Sequence, residues 1–235
     1  MRRAGQARRV NPAPGSDIHT DIGGDVDFVR AQLPSRPVRI LDVGCGDGAL
    51  AFALAAAGHD VTGIDPSATP GPILRRVSLQ EFADDTVFDA AVARLSLHHI
   101  DDLSGAVDKL AALLAPGAPL ILIEFASERL RGATAGWYYH QRRALAAAGD
   151  RDAAFPAGAD RGPEDLVREL ADLHAFATIR AALRRRFTEE HVAWTPYLHR
   201  YRLHPAVEPL ERSLIAADAI AATGVRYVGR RPQGS

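Results

Sequence analysis

Cysteine is almost missing from this chain: one residue of 235, Cys45, carries a thiol. No intramolecular disulfide can form, so we expect a reducing, cytoplasmic location. A chain of this length buries a core that needs no cross-links, and we expect one domain over residues 17–235 behind a flexible N-terminal tail over residues 1–16. Because no base is evidently paired with Cys45, we expect it to line a ligand site at most, not to act as a nucleophile.

Long apolar runs, metal-binding spacings and an excess of positive charge are also missing. The apolar runs are too short to cross a membrane, so we expect no membrane partner. No cysteine pair and no HExxH spacing offers zinc ligands, so we expect no metal. The formal net charge is −1, and the basic run at 184–186 is followed by Glu189 and Glu190. This balance argues against a nucleic-acid partner.

The most informative segment present is ILDVGCGDGAL, residues 40–50. An apolar strand ends there in an acid and three alternating glycines, Gly44, Gly46 and Gly48, which suit a tight turn that approaches a ligand closely. An alanine-rich stretch of strong helix formers follows. A second apolar strand then ends in Asp65, at the distance where an acid binds ribose hydroxyls in βαβ nucleotide folds. The segment predicts a nucleotide-type site.

The glycines alone also satisfy the fingerprint of NAD-binding proteins, because Ala49 is allowed at its last position. Asp42 is the residue that argues against NAD as the ligand. A carboxylate two residues before the first glycine would repel a pyrophosphate and attract a ligand with cationic groups. The chain also has a single lysine, Lys109, so it offers no tyrosine–lysine pair for an NAD-dependent oxidoreductase. A cationic cofactor is favoured.

Residues 41–67, LDVGCGDGALAFALAAAGHDVTGIDPS, resemble the first two motifs of class I S-adenosylmethionine-dependent methyltransferases. Later segments resemble this family in the same order. They are residues 88–93 (FDAAVA, its fourth strand), 97–100 (LHHI, the start of the next helix) and 113–124 (LLAPGAPLILIE, a helix, turn and fifth strand). The likeness therefore runs from about residue 38 to residue 125, and it implies S-adenosylmethionine as cofactor and S-adenosylhomocysteine as product.

The alternation of strand and helix patterns predicts an α/β fold with a parallel sheet and helices on both faces. The resemblance adds that the sheet is Rossmann-like and mostly parallel, with seven strands and an antiparallel last strand. The predicted strands are 38–43, 60–64, 73–78, 88–93, 119–125, 177–187 and 225–230. The predicted helices are 21–33, 49–57, 103–114, 163–173 and 207–223.

The resemblance also implies cofactor contacts on the sheet's carboxyl edge. Asp42 would face the methionine portion, and the loop from Gly44 to Gly48, with Cys45 inside it, would give close backbone access. Asp65 would bind the ribose and Pro66 would border the adenine. The acid that many family members place after strand three is replaced here, so Leu79 and Gln80 are expected at the adenine. Arg94 would either bind the cofactor's carboxylate or point outward.

Residues 127–162 interrupt the strand–helix alternation, in the connection where family members carry substrate-specific additions. The aromatic and polar residues Trp137, Tyr138, Tyr139 and His140 predict a lid that builds an acceptor pocket. The alternative is a surface helix that packs its aromatics on the core.

Methyl transfer to a hydroxyl is helped by a base, and histidine is best suited to that role at neutral pH. His98, His99 and His140 are the candidates; for the first two, a role at the start of a helix is the alternative. Glu124 would face the acceptor or close the rim. We expect methyl transfer to a small molecule, such as a hydroxyl of a secondary metabolite, by a monomer or homodimer. The alternatives are methylation of RNA or protein and a non-catalytic cofactor-binding regulator.

Overall fold

The computed structural model describes residues 22–155 and 162–233. The predicted tail over residues 1–16 lies outside these ranges. Seven strands form one sheet: β1 (Arg39–Val43), β2 (Asp60–Ile64), β3 (Leu74–Arg75), β4 (Ala90–Arg94), β5 (Pro119–Phe125), β6 (Thr188–Thr195) and β7 (Gly224–Arg230). Within the described residues, seven α-helices surround it: α1 (Ile22–Ala31), α2 (Ala49–Ala56), α3 (Leu103–Leu113), α4 (Gly132–Ala147), α5 (Pro163–Glu169), α6 (Phe176–Leu183) and α7 (Glu208–Ala216).

The strands lie in the order β3-β2-β1-β4-β5-β7-β6. The first five are parallel, and β7 runs antiparallel to both of its neighbours, β5 and β6. This is the mostly parallel, seven-stranded Rossmann-like sheet with an antiparallel last strand that the sequence predicts, and that prediction is confirmed. The strand order reverses between β1 and β4, and in such sheets ligands bind beyond the carboxyl ends of the strands at this point.

Two apolar clusters bury the two faces of the sheet. On one face, Leu110 of α3 and Ile179 of α6 are fully buried against strand residues such as Leu41. On the other, Val29 of α1 and Leu54 of α2 are fully buried in the same way. Helices on both faces hold the strand ends in place, so the loops at the carboxyl edge are attached to a rigid frame.

The predicted sixth strand, residues 177–187, is wrong. That stretch is mostly α6, whose residues Phe176, Ile179 and Leu183 recur at helical spacing and are buried in the core. The sixth strand is β6, an edge strand whose acids Glu189 and Glu190 pair with arginines. The two adjacent glutamates hide the strand pattern in the sequence, because an edge strand can carry charged side chains.

Other predicted elements are present but shorter. The third strand contracts to Leu74–Arg75, which pairs only with Gly63 and Ile64. The helix predicted at 163–173 ends at Glu169, and the one predicted at 207–223 ends at Ala216. No helix among the described residues has both the length and the apolar character needed to cross a membrane.

The connection after β5 carries a 3₁₀ turn and the long helix α4, whose C-terminal end is followed by α5. Tyr138 of α4 and Leu166 of α5 join a third apolar cluster with Tyr197 and Leu203 from the C-terminal part of the chain. This cluster is separate from the two that cover the sheet. The predicted lid segment therefore packs on the residues that follow β6.

Candidate active site

A pocket of about 830 Å³ opens at the carboxyl edge of the sheet. Its volume is in the upper part of the range usual for small-molecule sites. One end is lined by the loop after β1 and by residues that follow β2, β3 and β4. The other end is lined by side chains of α4, α5 and the segment after β6. The pocket thus extends from the glycine loop to the predicted lid.

The glycine loop is shaped by steric limits that a side chain would violate. At Gly44, where φ is +73°, an added Cβ would lie 2.3 Å from the Cβ of Ser96. Ser96 in turn donates a hydrogen bond of 2.8 Å to the carbonyl of Val43. At Gly46, φ is +56° and an added Cβ would meet no atom within 4 Å. Gly46 therefore presents bare backbone to open space, as close approach by a ligand requires.

Asp65 ties the glycine loop to the end of β2. One of its carboxylate oxygens accepts the backbone N–H of Ser67 at 2.6 Å, and the other accepts that of Gly46 at 3.2 Å. The residue is half-buried and lines the pocket. Its position at the end of β2 is the one predicted for a ribose-binding acid.

Asp42 is buried beneath the loop, 1% exposed, and within the described residues neither of its carboxylate oxygens has a hydrogen-bond partner of normal geometry. Burial raises its pKa from 3.8 to about 7; the Arg94 cation opposes this rise, and the Asp65 carboxylate adds to it. Asp42 does not itself line the pocket, although Arg94 and Asp65 do. It is a buried acid whose ionisation a nearby cation would favour.

Arg94 points inward, which excludes the outward orientation considered from sequence. Its Nε donates to Asp25 of α1 at 2.8 Å, and its side chain is 17% exposed. Asp25 also accepts two hydrogen bonds of 3.0 Å from Arg200. The Nη2 of Arg94 is buried without a hydrogen-bond partner. Because Arg94 lines the pocket, this nitrogen is suited to a ligand carboxylate.

Of the other predicted cofactor residues, Pro66, Leu79 and Gln80 line the pocket, whereas Cys45 and Gly48 do not. Cys45 is buried behind the loop, and burial, followed by the charge of Asp42, raises the pKa of its thiol to about 12. A thiol that stays protonated is a poor nucleophile.

His98 and Glu124 form a buried pair on the pocket wall. The Nδ1 atom of His98 lies 2.5 Å from Oε2 of Glu124, and Oε1 of Glu124 accepts the backbone N–H of Leu97 at 2.9 Å. Burial alone would lower the pKa of His98, but the charge and hydrogen bond of Glu124 outweigh it, so the net shift is upward. His98 lines the pocket.

The other two histidines predicted as bases differ from His98. His99 lines the pocket, with its ring centroid 4.2 Å from that of His98. Partial burial, then the neighbouring His98 charge, lower its pKa to about 4, which makes it a weak base. His140 is exposed on α4 and does not line the pocket. The structure therefore brings two of the three candidates to the pocket.

The aromatic residues predicted as a lid divide into two groups. Tyr138 is fully buried, lines the pocket and donates a hydrogen bond of 2.8 Å to the carbonyl of Tyr201. Trp137 and Tyr139 lie outside the lining, and Tyr139 packs on the ring of Phe155. Successive residues of a helix point in different directions, so a continuous aromatic run cannot line one wall.

Much of the acceptor end comes from residues that the sequence did not single out. Tyr197 stacks on Phe125 with ring centroids 4.9 Å apart, and Tyr201 stacks on Tyr138. The other residues that line this end of the pocket are Leu130, Arg142, Phe155, Leu166, Leu170, Leu173 and Arg202. The sequence signal for this wall is the pair of tyrosines, Tyr197 and Tyr201, within a segment rich in basic residues.

A second histidine–glutamate pair lies in this C-terminal segment. Glu211 accepts the backbone N–H groups of Tyr197, Leu198 and His199 at 2.9–3.0 Å, and the Nδ1 of His199 lies 2.7 Å from its Oε2. Burial opposes ionisation of Glu211, but the hydrogen bonds, that from His199 largest, lower its pKa overall. Neither residue lines the pocket. This pair holds a 3₁₀ turn in place.

Comparison with known proteins agrees with this geometry. A family described as Methyltransferase domain matches residues 16–155. The chain belongs to this family. Its seven-stranded, mostly parallel sheet is that of class I S-adenosylmethionine-dependent methyltransferases, so the resemblance drawn from the sequence is confirmed. Within the described residues, no group of three or more His, Cys, Asp or Glu side chains could hold a metal ion.

The similarity to curated methyltransferases covers about half of the chain or less. An uncharacterized methyltransferase of Mycobacterium tuberculosis (strain ATCC 25618 / H37Rv) is 36% identical over an alignment of 132 residues, and the match covers 49% of this chain and 62% of the relative. A ubiquinone biosynthesis O-methyltransferase of Dechloromonas aromatica is 30% identical over an alignment of 112 residues, and the match covers 41% of this chain and 48% of the relative. The matched region spans less than two thirds of either relative.

Solved structures extend the likeness in fold to nearly the whole methyltransferase chain. The N-methyltransferase NodS of Bradyrhizobium japonicum, in complex with S-adenosylhomocysteine, has a TM-score of 0.53 at 15% identity, covering 95% of this chain and 94% of that one. A methyltransferase of Mesorhizobium loti has a TM-score of 0.57 at 19% identity, covering 89% and 100%. The [4+2]-cyclase SpnF has a TM-score of 0.53 at 19% identity, covering 90% and 81%.

Proposed function

We propose that this protein transfers a methyl group from S-adenosylmethionine to a hydroxyl of a small, largely apolar acceptor. The observation that carries the proposal is a single pocket that joins the glycine loop to an aromatic chamber, with His98 on its wall. Fold alone does not decide chemistry. The arrangement of these side chains is what favours small-molecule methyl transfer.

The residues at the glycine-loop end fit the cofactor. The open space over Gly46 allows close backbone approach, and the half-buried Asp65 suits a pair of ribose hydroxyls. The unpartnered carboxylate of Asp42 and the unpartnered Nη2 of Arg94 would be matched by a ligand with cationic groups and a carboxylate. When bound, S-adenosylmethionine supplies a methyl carbon made electrophilic by its positive sulfur. Asp65 and Arg94 would hold and orient it, and the charge of the buried Asp42 would attract its cationic groups.

At the acceptor end, the chain's part in the reaction is positioning and proton removal. The stacked pairs Phe125–Tyr197 and Tyr138–Tyr201 form flat apolar walls that would orient an acceptor ring and exclude water. His98 would accept the hydroxyl proton at Nε2, because its Nδ1 is engaged by Glu124. A base held by a second group in this way typically contributes 10²- to 10⁴-fold to a rate.

The relatives support the choice of oxygen as the accepting atom. Several curated matches are ubiquinone biosynthesis O-methyltransferases, 30–37% identical over 98–124 residues. The buried position of the chamber, covered by α4 and α5, favours a small molecule over an RNA or protein surface.

Two measurements test the proposal. In calorimetry with S-adenosylhomocysteine, NAD and buffer, we expect only S-adenosylhomocysteine to bind. In a transfer assay with labelled S-adenosylmethionine and a cell extract, we expect label in the low-mass fraction whether or not nuclease and protease are added. If transfer of label is lost when the extract has first been treated with nuclease, the acceptor is RNA. If it is lost when the extract has first been treated with protease, the acceptor is a protein. Cofactor binding with no transfer in any fraction would favour a regulatory role.

A further inference from the structure

Arg142 of α4 is a buried cation on the wall of the acceptor chamber. Arg142 is only 3% exposed, and it lines the pocket. Its Nε donates to the carbonyl of Ala153 at 3.1 Å and its Nη2 to that of Ala154 at 2.9 Å. Within residues 22–155 and 162–233, Nη1 donates no hydrogen bond and no carboxylate pairs with the guanidinium.

The surroundings of Arg142 are apolar. Its guanidinium carbon lies 4.0 Å from the centroid of the Phe155 ring and 5.9 Å from that of Tyr138. Leu166 and Leu170 line the same chamber. Aromatic faces and carbonyl groups offset part of the cost of burying a cation, but a full negative charge offsets far more. Among the described residues, no carboxylate therefore supplies the counter-charge that the buried Arg142 would favour.

The neighbouring residue Arg143 does not share the buried position of Arg142. Arg143 follows on the same helix but is exposed, does not line the pocket and lies over the ring of Tyr139. The two hydrogen bonds from Arg142 to the chain after α4 fix the plane of the guanidinium. A guanidinium fixed in this way, with Nη1 uncommitted, is preorganised to bind an anion.

We propose that Arg142 binds a carboxylate on the acceptor, so that the acceptor class is an apolar, ring-containing hydroxy acid. This inference rests on the proposed function, because it takes the chamber as the acceptor site. A carboxylate matches the uncommitted Nη1 and the positive charge of Arg142, which lies beside the rings of Phe155 and Tyr138. The acceptor would then be held at two points, its hydroxyl at His98 and its carboxylate at Arg142.

Equilibrium binding tests this proposal without requiring methyl transfer. The probes are 1-hydroxy-2-naphthoate and its uncharged analogue 1-hydroxy-2-naphthamide, titrated calorimetrically into full-length protein saturated with S-adenosylhomocysteine. We expect the wild-type protein to bind the carboxylate at least tenfold more tightly than the amide. Arg142→Gln should remove this preference by weakening carboxylate binding, with amide binding changed less than threefold. Arg143→Gln, the matched control, should keep the preference.

The folding of each variant is checked by thermal unfolding and by binding of S-adenosylhomocysteine. Arg142→Lys keeps the charge and should keep part of the preference, which covers the case in which Arg142→Gln does not fold. Equal binding of the two probes by the wild-type protein, binding of neither probe, or a preference that survives in Arg142→Gln would overturn the proposal. A protein that prefers the carboxylate but transfers no methyl group would refute the proposed function and leave the anion site standing.

Discussion

Oε2 of Glu124 lies 2.5 Å from Nδ1 of His98, so Nε2 is the imidazole nitrogen that this pairing leaves for the pocket. The same carboxylate accepts the backbone N–H of Leu97, which begins the 3₁₀ turn containing the histidine. One buried acid therefore orients both the ring and its backbone. Glu211 does the same for His199 at a place that does not line the pocket, so the chain contains a structural counterpart of the proposed catalytic pair.

Glu124→Gln is expected to move the pH dependence of methyl transfer. A base acts in its neutral form, and Glu124 raises the pKa of His98, so the wild-type rate should rise with pH through a value above 6.5. Removing the carboxylate should shift that rise to lower pH and lower the limiting rate. Steady-state rates from pH 5 to 9 measure this shift, and an unchanged midpoint would show that His98 is not the base.

Glu211→Gln serves as the matched control for that experiment. It removes a buried carboxylate that accepts three backbone hydrogen bonds and contacts a histidine, so it should lower the melting temperature. It should leave the pH midpoint of methyl transfer unchanged, because His199 does not line the pocket.

The pair of His98 and Glu124 should also affect stability in a pH-dependent way. A histidine whose pKa is raised by folding contributes stability that is fully present below its unfolded pKa of about 6.5 and is lost as pH rises through the folded value. Glu124→Gln should therefore cost more stability at pH 6 than at pH 9. Urea unfolding at the two pH values measures the difference, and an equal cost at both would contradict the charge interaction.

Asp42→Asn should become more stable relative to the wild-type protein as pH rises. The folded wild-type protein holds a proton on Asp42 up to a pKa of about 7, whereas the unfolded chain releases it near pH 4. The free energy of unfolding of the wild-type protein therefore falls as pH rises from about 4 to about 7, by up to about 4 kcal/mol for a pKa shift of this size. Thermal unfolding at pH 5 and pH 8 should show the variant gaining on the wild type at pH 8.

The same substitution should weaken cofactor binding. If cationic groups of S-adenosylmethionine stabilise the ionised acid, wild-type affinity at pH 8 should exceed that at pH 6 by up to about tenfold, the ratio of ionised fractions for a pKa near 7. Asp42→Asn should reduce this ratio. Calorimetric titrations at the two pH values measure it, and an equal ratio in both proteins would remove Asp42 from the cofactor site.

Asp65→Ala should weaken binding of S-adenosylhomocysteine by about 1–3 kcal/mol, the usual loss for a charged hydrogen-bond acceptor. Asp60→Ala is the matched control, because Asp60 begins the same strand that Asp65 follows and its side chain is 77% exposed. Equal affinities in the two variants would show that the ribose contact is not made.

Gly44→Ala and Gly46→Ala should separate folding from ligand binding. The first places a Cβ 2.3 Å from that of Ser96 and should lower the melting temperature strongly, whereas the second meets no protein atom. Gly46→Ala should cost about 1 kcal/mol of stability for its positive φ and at least tenfold in cofactor affinity. Full cofactor affinity in Gly46→Ala would mean that the ligand does not approach this backbone.

The cofactor end was predictable because its signals are local. Strands β1 and β2, the glycines between them and Asp65 lie within about 25 residues, and their spacing alone fixes their relation. The acceptor end depends on contacts between distant segments: Tyr138 donates a hydrogen bond to the carbonyl of Tyr201, and Tyr197 stacks on Phe125. His98 and Glu124 were each singled out from sequence. Their pairing depends on the adjacency of β4 and β5.

The misassigned elements have a related cause. Residues 177–187 mix apolar residues with four arginines. Phe176, Ile179 and Leu183 recur at helical spacing, and their burial in the core shows that the stretch is mostly a helix. The aromatic run of α4 is divided between pocket and exterior by helical geometry, so that Tyr138 faces the chamber while His140 is exposed. Local pattern cannot assign such residues until the helix has been placed.

The most direct test of the central claim is the identity of the atom that receives the methyl group. Protein incubated with ¹³C-methyl S-adenosylmethionine and a nuclease- and protease-treated cell extract should give a low-mass product whose labelled carbon has the NMR shift of an O-methyl group, and His98→Gln should reduce its rate by at least 10²-fold. A labelled carbon with the shift of an N-methyl group, or a rate unaffected by His98→Gln, would contradict the account.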